Sequence, residues 1–269
     1  MNWKRIKTFL IILFLIINIY LISTSSGISV VPTTTVTKFD KETIDKTVSL
    51  ISKNYDVEID VGIIPTQFVN LRNIDVTNLI FDDRFQESKY NLIQTESGFE
   101  CDIKTNTYSY TEEIATNEID VILLDFGITP QSYKLRFEKS DYGLVCHINE
   151  YVSEYPIFDG YIKAEFTSSH IRLNGNWYFP EQIEVKVYDT SERLNDITSV
   201  LLDYASEYGG SVDGKRSIKK IDYGYFVSYF NENIITKSAS AIPSYMIENH
   251  EGVKCYYDAY SGNFLKQEE

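Results

Sequence analysis

The chain has 269 residues, 43% of them hydrophobic, and 39 acidic against 25 basic side chains give it a formal charge of −14 at pH 7. That apolar content is enough to build real cores, while the negative charge disfavours nucleic acid and anionic lipid as partners of the folded part and suits cations or a basic protein. Three cysteines, Cys101, Cys146 and Cys255, are too few and too scattered for a disulfide framework. They read as buried free thiols, with one bridged pair as the alternative.

The first predicted element is a membrane anchor. No charge occurs from Thr8 to Thr37, and Lys4, Arg5 and Lys7 precede that stretch with no acid among them. The apolar run Phe9 to Ile22, extended by Thr8 and by Ser23 to Gly27, is long enough at ~1.5 Å per residue to cross a ~30 Å hydrocarbon layer. The basic flank places the N-terminus in the cytoplasm and everything after the anchor outside. Removing those three positive charges from −14 leaves −17 for the outer part. A cleaved secretory signal is the competing reading, with Ser23 and Ser25 available for a cleavage site but no Ala-x-Ala pattern. Within the span, Asn18 shares a helix face with Ile11, Phe14, Leu15 and Ile22. An amide there gains from a partner on another helix, or else it is hydrated near the outer interface beside Tyr20.

Residues 1–7 are thus a cytoplasmic tail, 8–28 the transmembrane anchor and 29–39 a stalk. A helix is expected from the N-cap Asp40 to about Asn54, with Ile44, Val48 and Ile51 on one stripe, then a strand from Val57 to Ile64. Phe99–Lys104 and Thr107–Thr111 flank Thr105-Asn106 as a hairpin, and Ile119–Phe126 is an apolar run of buried-strand length. From Tyr133 a meander follows: Tyr133–Glu138, Leu144–Tyr151, Tyr161–Thr167, His170–Leu173 and Glu184–Tyr188. Its turns are expected at Asp141-Tyr142-Gly143, Asp159-Gly160 and Asn174-Gly175-Asn176. A second helix begins after Ser191, carries Leu194, Ile197, Leu201, Tyr204 and Tyr208 on one stripe, and stops at Gly209-Gly210. Strands resume at Ser217–Phe230, Ser244–Ile247 and Val253–Tyr260, with a turn at Ser261-Gly262 before Phe264-Leu265. The whole reads as α+β, an N-terminal transmembrane helix followed by two tandem α+β units with antiparallel sheets, residues 40–150 and 151–269.

Motifs for chemistry are scarce, and the chain is expected not to be an enzyme and to need no cofactor or metal. His147, His170 and His250 stand at no zinc spacing, and His250-Glu251 lacks a second histidine four residues on. There is no Gly-x-Ser-x-Gly and no phosphate loop. Acid pairs such as Asp82-Asp83 and Glu112-Glu113 fit glycoside hydrolysis in principle, but in so acidic a chain they fit solvated faces better. The 21 tyrosines, many in alternating runs such as Tyr223-Gly224-Tyr225, read as half-buried strand residues, with a sugar-stacking face as the lesser reading.

The start Met1-Asn2-Trp3-Lys4-Arg5-Ile6-Lys7-Thr8, running through Phe9-Leu10-Ile11-Ile12 into Ile17-Asn18-Ile19-Tyr20-Leu21, resembles the N-terminus of the YycI family. Trp3 ahead of the basic pair and an asparagine inside the anchor are the specific elements, since a generic anchor needs neither. The ending Tyr256-Tyr257-Asp258-Ala259-Tyr260-Ser261-Gly262 also looks like the last hairpin of PepSY-type domains, so the resemblance implies a YycH-like or PepSY-like outer region. It further implies a membrane-anchored regulator of the cell-wall two-component system WalK/WalR. Its partners would be the transmembrane helices of a WalK-type sensor histidine kinase and a YycH-like regulator. The alternative is a secreted or anchored wall-associated module that binds glycan or a protease.

Overall fold

The computed structural model describes residues 36–83, 90–95, 98–107, 109–141, 143–180, 194–209, 216–228 and 238–268. Residues 1–35 lie outside these, and with them Trp3, Lys4, Arg5, Lys7, Ile11, Phe14, Leu15, Asn18 and Ile22; so do the expected strand at 184–188, the helix start at Ser191 and Tyr229-Phe230. Among the described residues no helix is long and apolar enough to cross a membrane. They form an α+β fold, mostly sheet with three helices.

Helix α1 (Lys41–Tyr55) begins where Asp40 accepts a 3.0 Å hydrogen bond from the Thr43 N–H, and it buries Ile44, Val48 and Ile51. Helix α3 (Ile197–Tyr208) is capped by Asp196, which accepts from the Thr198 N–H at 2.9 Å, and it ends at Gly209. The first follows the stripe expected from the sequence; the second carries the expected Ile197, Leu201, Tyr204 and Tyr208, but Leu194 precedes it, because the Asp196 cap starts the helix at Ile197 and not soon after Ser191. They share one core with strands β2 (Val57–Ile59), β12 (Arg216–Ser228), β13 (Ser238–Asn249) and β14 (Lys254–Asp258).

Helix α2 (Glu112–Asp125) occupies the stretch that reads as a strand from Ile119 to Phe126. Thr111 caps it, accepting from the Ile114 N–H, and Ala115, Ile119, Ile122 and Leu123 turn inward. Apolar residues also sit on its outer side, where Ile114, Val121 and Leu124 are exposed. Two apolar faces blur the 3.6-residue contrast that marks a helix, so the run looks like a buried strand.

Helix α2 covers a sheet of β5 (Leu92–Thr95), β6 (Gly98–Lys104), β10 (His170–Asn176), β9 (Tyr155–Phe166), β8 (Gly143–Val152) and β7 (Tyr133–Ser140), antiparallel in that order. One row of facing residues crosses all six strands: Leu92, Cys101, Leu173, Ala164, Cys146 and Phe137. The hairpin at Asp141–Gly143 joins β7 and β8 as expected. The partners of β6 are β5 and β10, and residues 105–107 and 109–111 are not strand, so the hairpin expected there does not form.

The second sheet is built on β13. One edge pairs with β12, and the other with β4 (Ile74–Asn78) and then β14, which carries β15 (Phe264–Glu268) outside it. The far edge of β12 takes β2 in parallel and, at Tyr225 opposite Ile157, touches β9. Short β11 (Tyr178–Pro180) borders β4, and β1 (Val36–Lys38) pairs with β3 (Gln67–Val69) separately. Strand β9 therefore belongs to both sheets. The expected strand Val57–Ile64 is cut short at Ile59 by a 3₁₀ turn over Val61–Ile63, capped by Asp60.

Two expected turns are strand interior. Asp159-Gly160 lies within β9, and Asn174-Gly175-Asn176 ends β10 in register with β9 and β6. At Gly175, φ is +152° and a Cβ would meet the Tyr161 carbonyl oxygen at 2.0 Å, so this glycine permits close backbone approach and not a reversal. Residues 150 and 151, expected to divide two units, lie inside β8. The strands before them and after them pair with one another, as β4 does with β13 and β6 with β10.

Candidate functional site

The histidines are held singly. His147 Nε2 lies 3.3 Å from Glu138 Oε2 and His170 Nδ1 lies 2.6 Å from Asp102 Oδ1, while the backbone N–H of His250 donates to the Ser217 carbonyl. Among the described residues no three His, Cys, Asp or Glu side chains gather as metal ligands. Glu112 and Glu113 open α2, where negative charge suits the positive end of the helix dipole.

All three cysteines are buried, and none is in a disulfide. Cys101 and Cys146 share the row just described but stand three strands apart, ~14 Å at ~4.8 Å per strand, far beyond disulfide reach. Burial pushes the Cys101 thiol up to about 11 and that of Cys146 to about 12, so neither offers a thiolate near neutrality. Tyr225, Tyr245, Tyr256 and Tyr257 are core residues, and Tyr223 makes edge contacts with Phe68 and Tyr155, as the strand reading of the alternating run expects.

The chemically distinctive place is where β9 passes from one sheet to the other, because two shielded carboxyls flank it. Glu150, on β8 beside an irregularity in the β8–β9 register, is fully buried and accepts the Tyr178 N–H at 3.0 Å. Gly160 packs directly on it, and an added Cβ would stand 2.2 Å from its Oε2. Burial raises the Glu150 carboxyl well above the ordinary carboxylate range, against the pull of that N–H.

Asp159 is the neighbour of that glycine. Its Oδ1 is buried without a hydrogen-bond partner. Burial first, and then the charge of Glu268, push its carboxyl up to about 7, opposed by Lys266 and the Val227 N–H. Glu268 itself accepts from the Tyr256 hydroxyl at 2.9 Å and from Lys266 Nζ at 2.6 Å. Phe158, Phe226, Met246 and Leu265 surround Tyr256 and supply the low-dielectric wall. In this cluster it is the Asp159 carboxyl that can take up or release a proton near neutrality, and burial raises the Glu150 carboxyl in the same direction.

Nothing in the sequence marks this seam. The pair Asp159-Gly160 reads as a turn, and apart from Phe158 its wall comes from strands more than 60 residues away. The membrane residues Ile11, Phe14, Leu15, Asn18 and Ile22 and the orientation residues Trp3, Lys4, Arg5 and Lys7 lie outside the described residues and are not part of it.

No family model and no curated protein matches the chain. A solved structure of an uncharacterized protein from Eubacterium rectale is similar to it at 10% identity and a TM-score of 0.44, covering 78% of this chain and 89% of that one.

Proposed function

We propose that the protein is a non-enzymatic, membrane-anchored extracytoplasmic regulator of a cell-wall-controlling sensor histidine kinase of WalK type. In this reading it acts through contacts between transmembrane helices and through a YycH-like partner outside the cell. The observation that carries it is the run from Met1 to Leu21, with Trp3 ahead of Lys4-Arg5 and Asn18 inside the apolar segment. Lys4, Arg5 and Lys7 set the orientation, and Ile11, Phe14, Leu15, Asn18 and Ile22 form the face offered to the kinase. The finer architecture that goes with it, a transmembrane helix followed by a YycH-like or PepSY-like α+β outer region, is part of the same proposal.

Physically this is a shift of populations. A companion helix that fits one kinase state better by a few kcal/mol changes the on/off ratio by orders of magnitude, and one that fits both equally changes nothing. Residues 1–37 fused to an unrelated outer domain are expected to contact the kinase and alter a reporter of its output. Activity residing wholly in residues 40–269 would overturn the reading. Asn18→Leu is expected to weaken association in a membrane two-hybrid assay.

A second reading, a wall-associated module of PepSY type, is favoured by the C-terminal hairpin. There Asp258 accepts from the Tyr260 and Ser261 N–H groups in the turn between β14 and β15. A binding screen of residues 40–269 against muropeptides separates the two: specific capture supports the module.

A further inference from the structure

The outward side of α2 has a pattern that its packing on the sheet does not require. Ile114, Val121 and Leu124 are exposed at 40%, 55% and 65%, and with Asn117 they fall at intervals of three, four and three residues. That is the a-d-a-d spacing of a coiled-coil seam, with Ile114 and Val121 at a, and Asn117 and Leu124 at d. The four positions that flank such a seam are Glu113, Glu118, Asp120 and Asp125, and every one is acidic. The opposite side of the same helix, Ala115, Ile119, Ile122 and Leu123, is buried against the six-stranded sheet, so the seam is held outward and cannot rotate inward.

Charge identifies what fits it. From Thr105 to Tyr133 there is no lysine or arginine, and the last turn of α2 holds no basic residue at the negative end of its dipole. A second copy of this face would set four acids against four, and anionic lipid is repelled for the same reason. Asp120 already accepts a hydrogen bond from the Tyr133 hydroxyl, so a helix with Lys or Arg at e and g would pair first with the exposed Glu113 and Glu118, while answering the negative charge of the whole flank and complementing the dipole as well.

We infer that the outward face of α2 is one half of a short two-helix coiled coil. The other half is a helix of a different protein with apolar a and d positions and basic e and g positions. Asn117 at d asks for a polar residue opposite and thereby fixes register. Two heptads make the pairing reversible, as suits a contact that is made and broken. The surface lies in the outer part of the chain and does not depend on how the anchor acts.

The test uses the full-length chain and three labelled helical peptides, followed by fluorescence anisotropy at about 150 mM salt, where long-range attraction is screened. One peptide has Ile and Leu at a and d and Lys at e and g; the second carries Glu at e and g; the third keeps the lysines but has Ser at a and d. The first is expected to bind at least tenfold more tightly than either other. Val121→Glu and Leu124→Glu are each expected to weaken it at least tenfold while leaving the melting temperature unchanged. Glu118→Lys combined with Asp125→Lys is expected to turn the preference towards the Glu peptide. Failure of the first peptide to bind overturns the inference, as does equal binding of the Ser peptide, which would mean general charge attraction. Self-association of the chain that Val121→Glu abolishes overturns it too, because the occupant would then be a second copy.

Discussion

The two sheets solve the same burial problem with different materials. The six-stranded sheet lays one helix over a core of aliphatic residues, two thiols and aromatic rings that mostly carry no hydroxyl, Phe99, Phe126, Phe166 and Trp177 among them, with one row of facing residues running from Leu92 to Phe137. The other sheet lays two helices over a core rich in tyrosine, with Tyr204, Tyr245 and Tyr257 deeply buried. Phenol rings fill volume but bring a hydroxyl each, and that region leaves the Tyr257 hydroxyl without a hydrogen-bond partner; beside it, at the seam, Asp159 Oδ1 is likewise unmatched. One sheet is therefore built for uniform packing and leaves its helix half uncovered. The other brings phenol hydroxyls into its core and tolerates polar loose ends.

That contrast can be broken by substitutions, most strongly in the core under the six-stranded sheet. Ile119→Ala removes a fully buried side chain from the single covering helix and is expected to cost about 2–5 kcal/mol in denaturant unfolding. Gly160→Ala forces Glu150 aside at the seam and is expected to cost about 1–3 kcal/mol, visible as a lowered melting temperature.

The seam also predicts a dependence on pH. The Asp159 carboxyl titrates at about 7 in the fold against an ordinary 3.8, so between those values the folded chain binds more protons than the unfolded one. The contribution of Asp159 to stability is then full below about pH 4, falls as pH rises through 7 and levels off above it, and Glu150 acts in the same direction. Asp159→Asn is expected to gain on the order of 2 kcal/mol at pH 8 and to flatten the profile. A difference in stability between Asp159→Asn and wild type that stays constant from pH 4 to 8 would contradict this reading of the seam.

The smaller effects sharpen the comparison. Tyr257→Phe removes an unmatched hydroxyl from the tyrosine-rich core and is expected to be neutral or to stabilise by up to about 1 kcal/mol. Leu124→Ala, on the uncovered side of α2, is expected to change stability by less than about 0.5 kcal/mol. Equal costs for Leu124→Ala and Ile119→Ala would show that the outer face of α2 is not open.

Local signals in the sequence were legible where one physical cause acted alone. Asp40 and the stripe through Ile44, Val48 and Ile51 declared α1, Gly209 closed α3, and Asp141–Gly143 closed the β7–β8 hairpin. The errors fall where two demands share one segment. Helix α2 carries an inner and an outer apolar face, and Gly160 and Gly175 are small because another chain segment presses on them, not because the backbone turns. Pairings such as Ile74 with Ala241 join residues more than 160 apart, and no local period encodes them. The candidate seam was hidden for that reason: Asp159 becomes unusual only when Tyr256, Lys266 and Glu268 arrive from the far end of the chain.

The nesting of the sheets orders the folding of the chain. Every strand of the six-stranded sheet, and its helix, lies between Leu92 and Asn176, so that part can close on contacts made as the segment emerges. Strands β2 and β4 emerge earlier yet must wait for β12 and β13, and until then they expose raw edges to any neighbour. A nascent or clipped chain that stops short of Ser238 would keep a finished middle between two sticky flanks, a form that a chaperone or a quality-control protease would be first to meet.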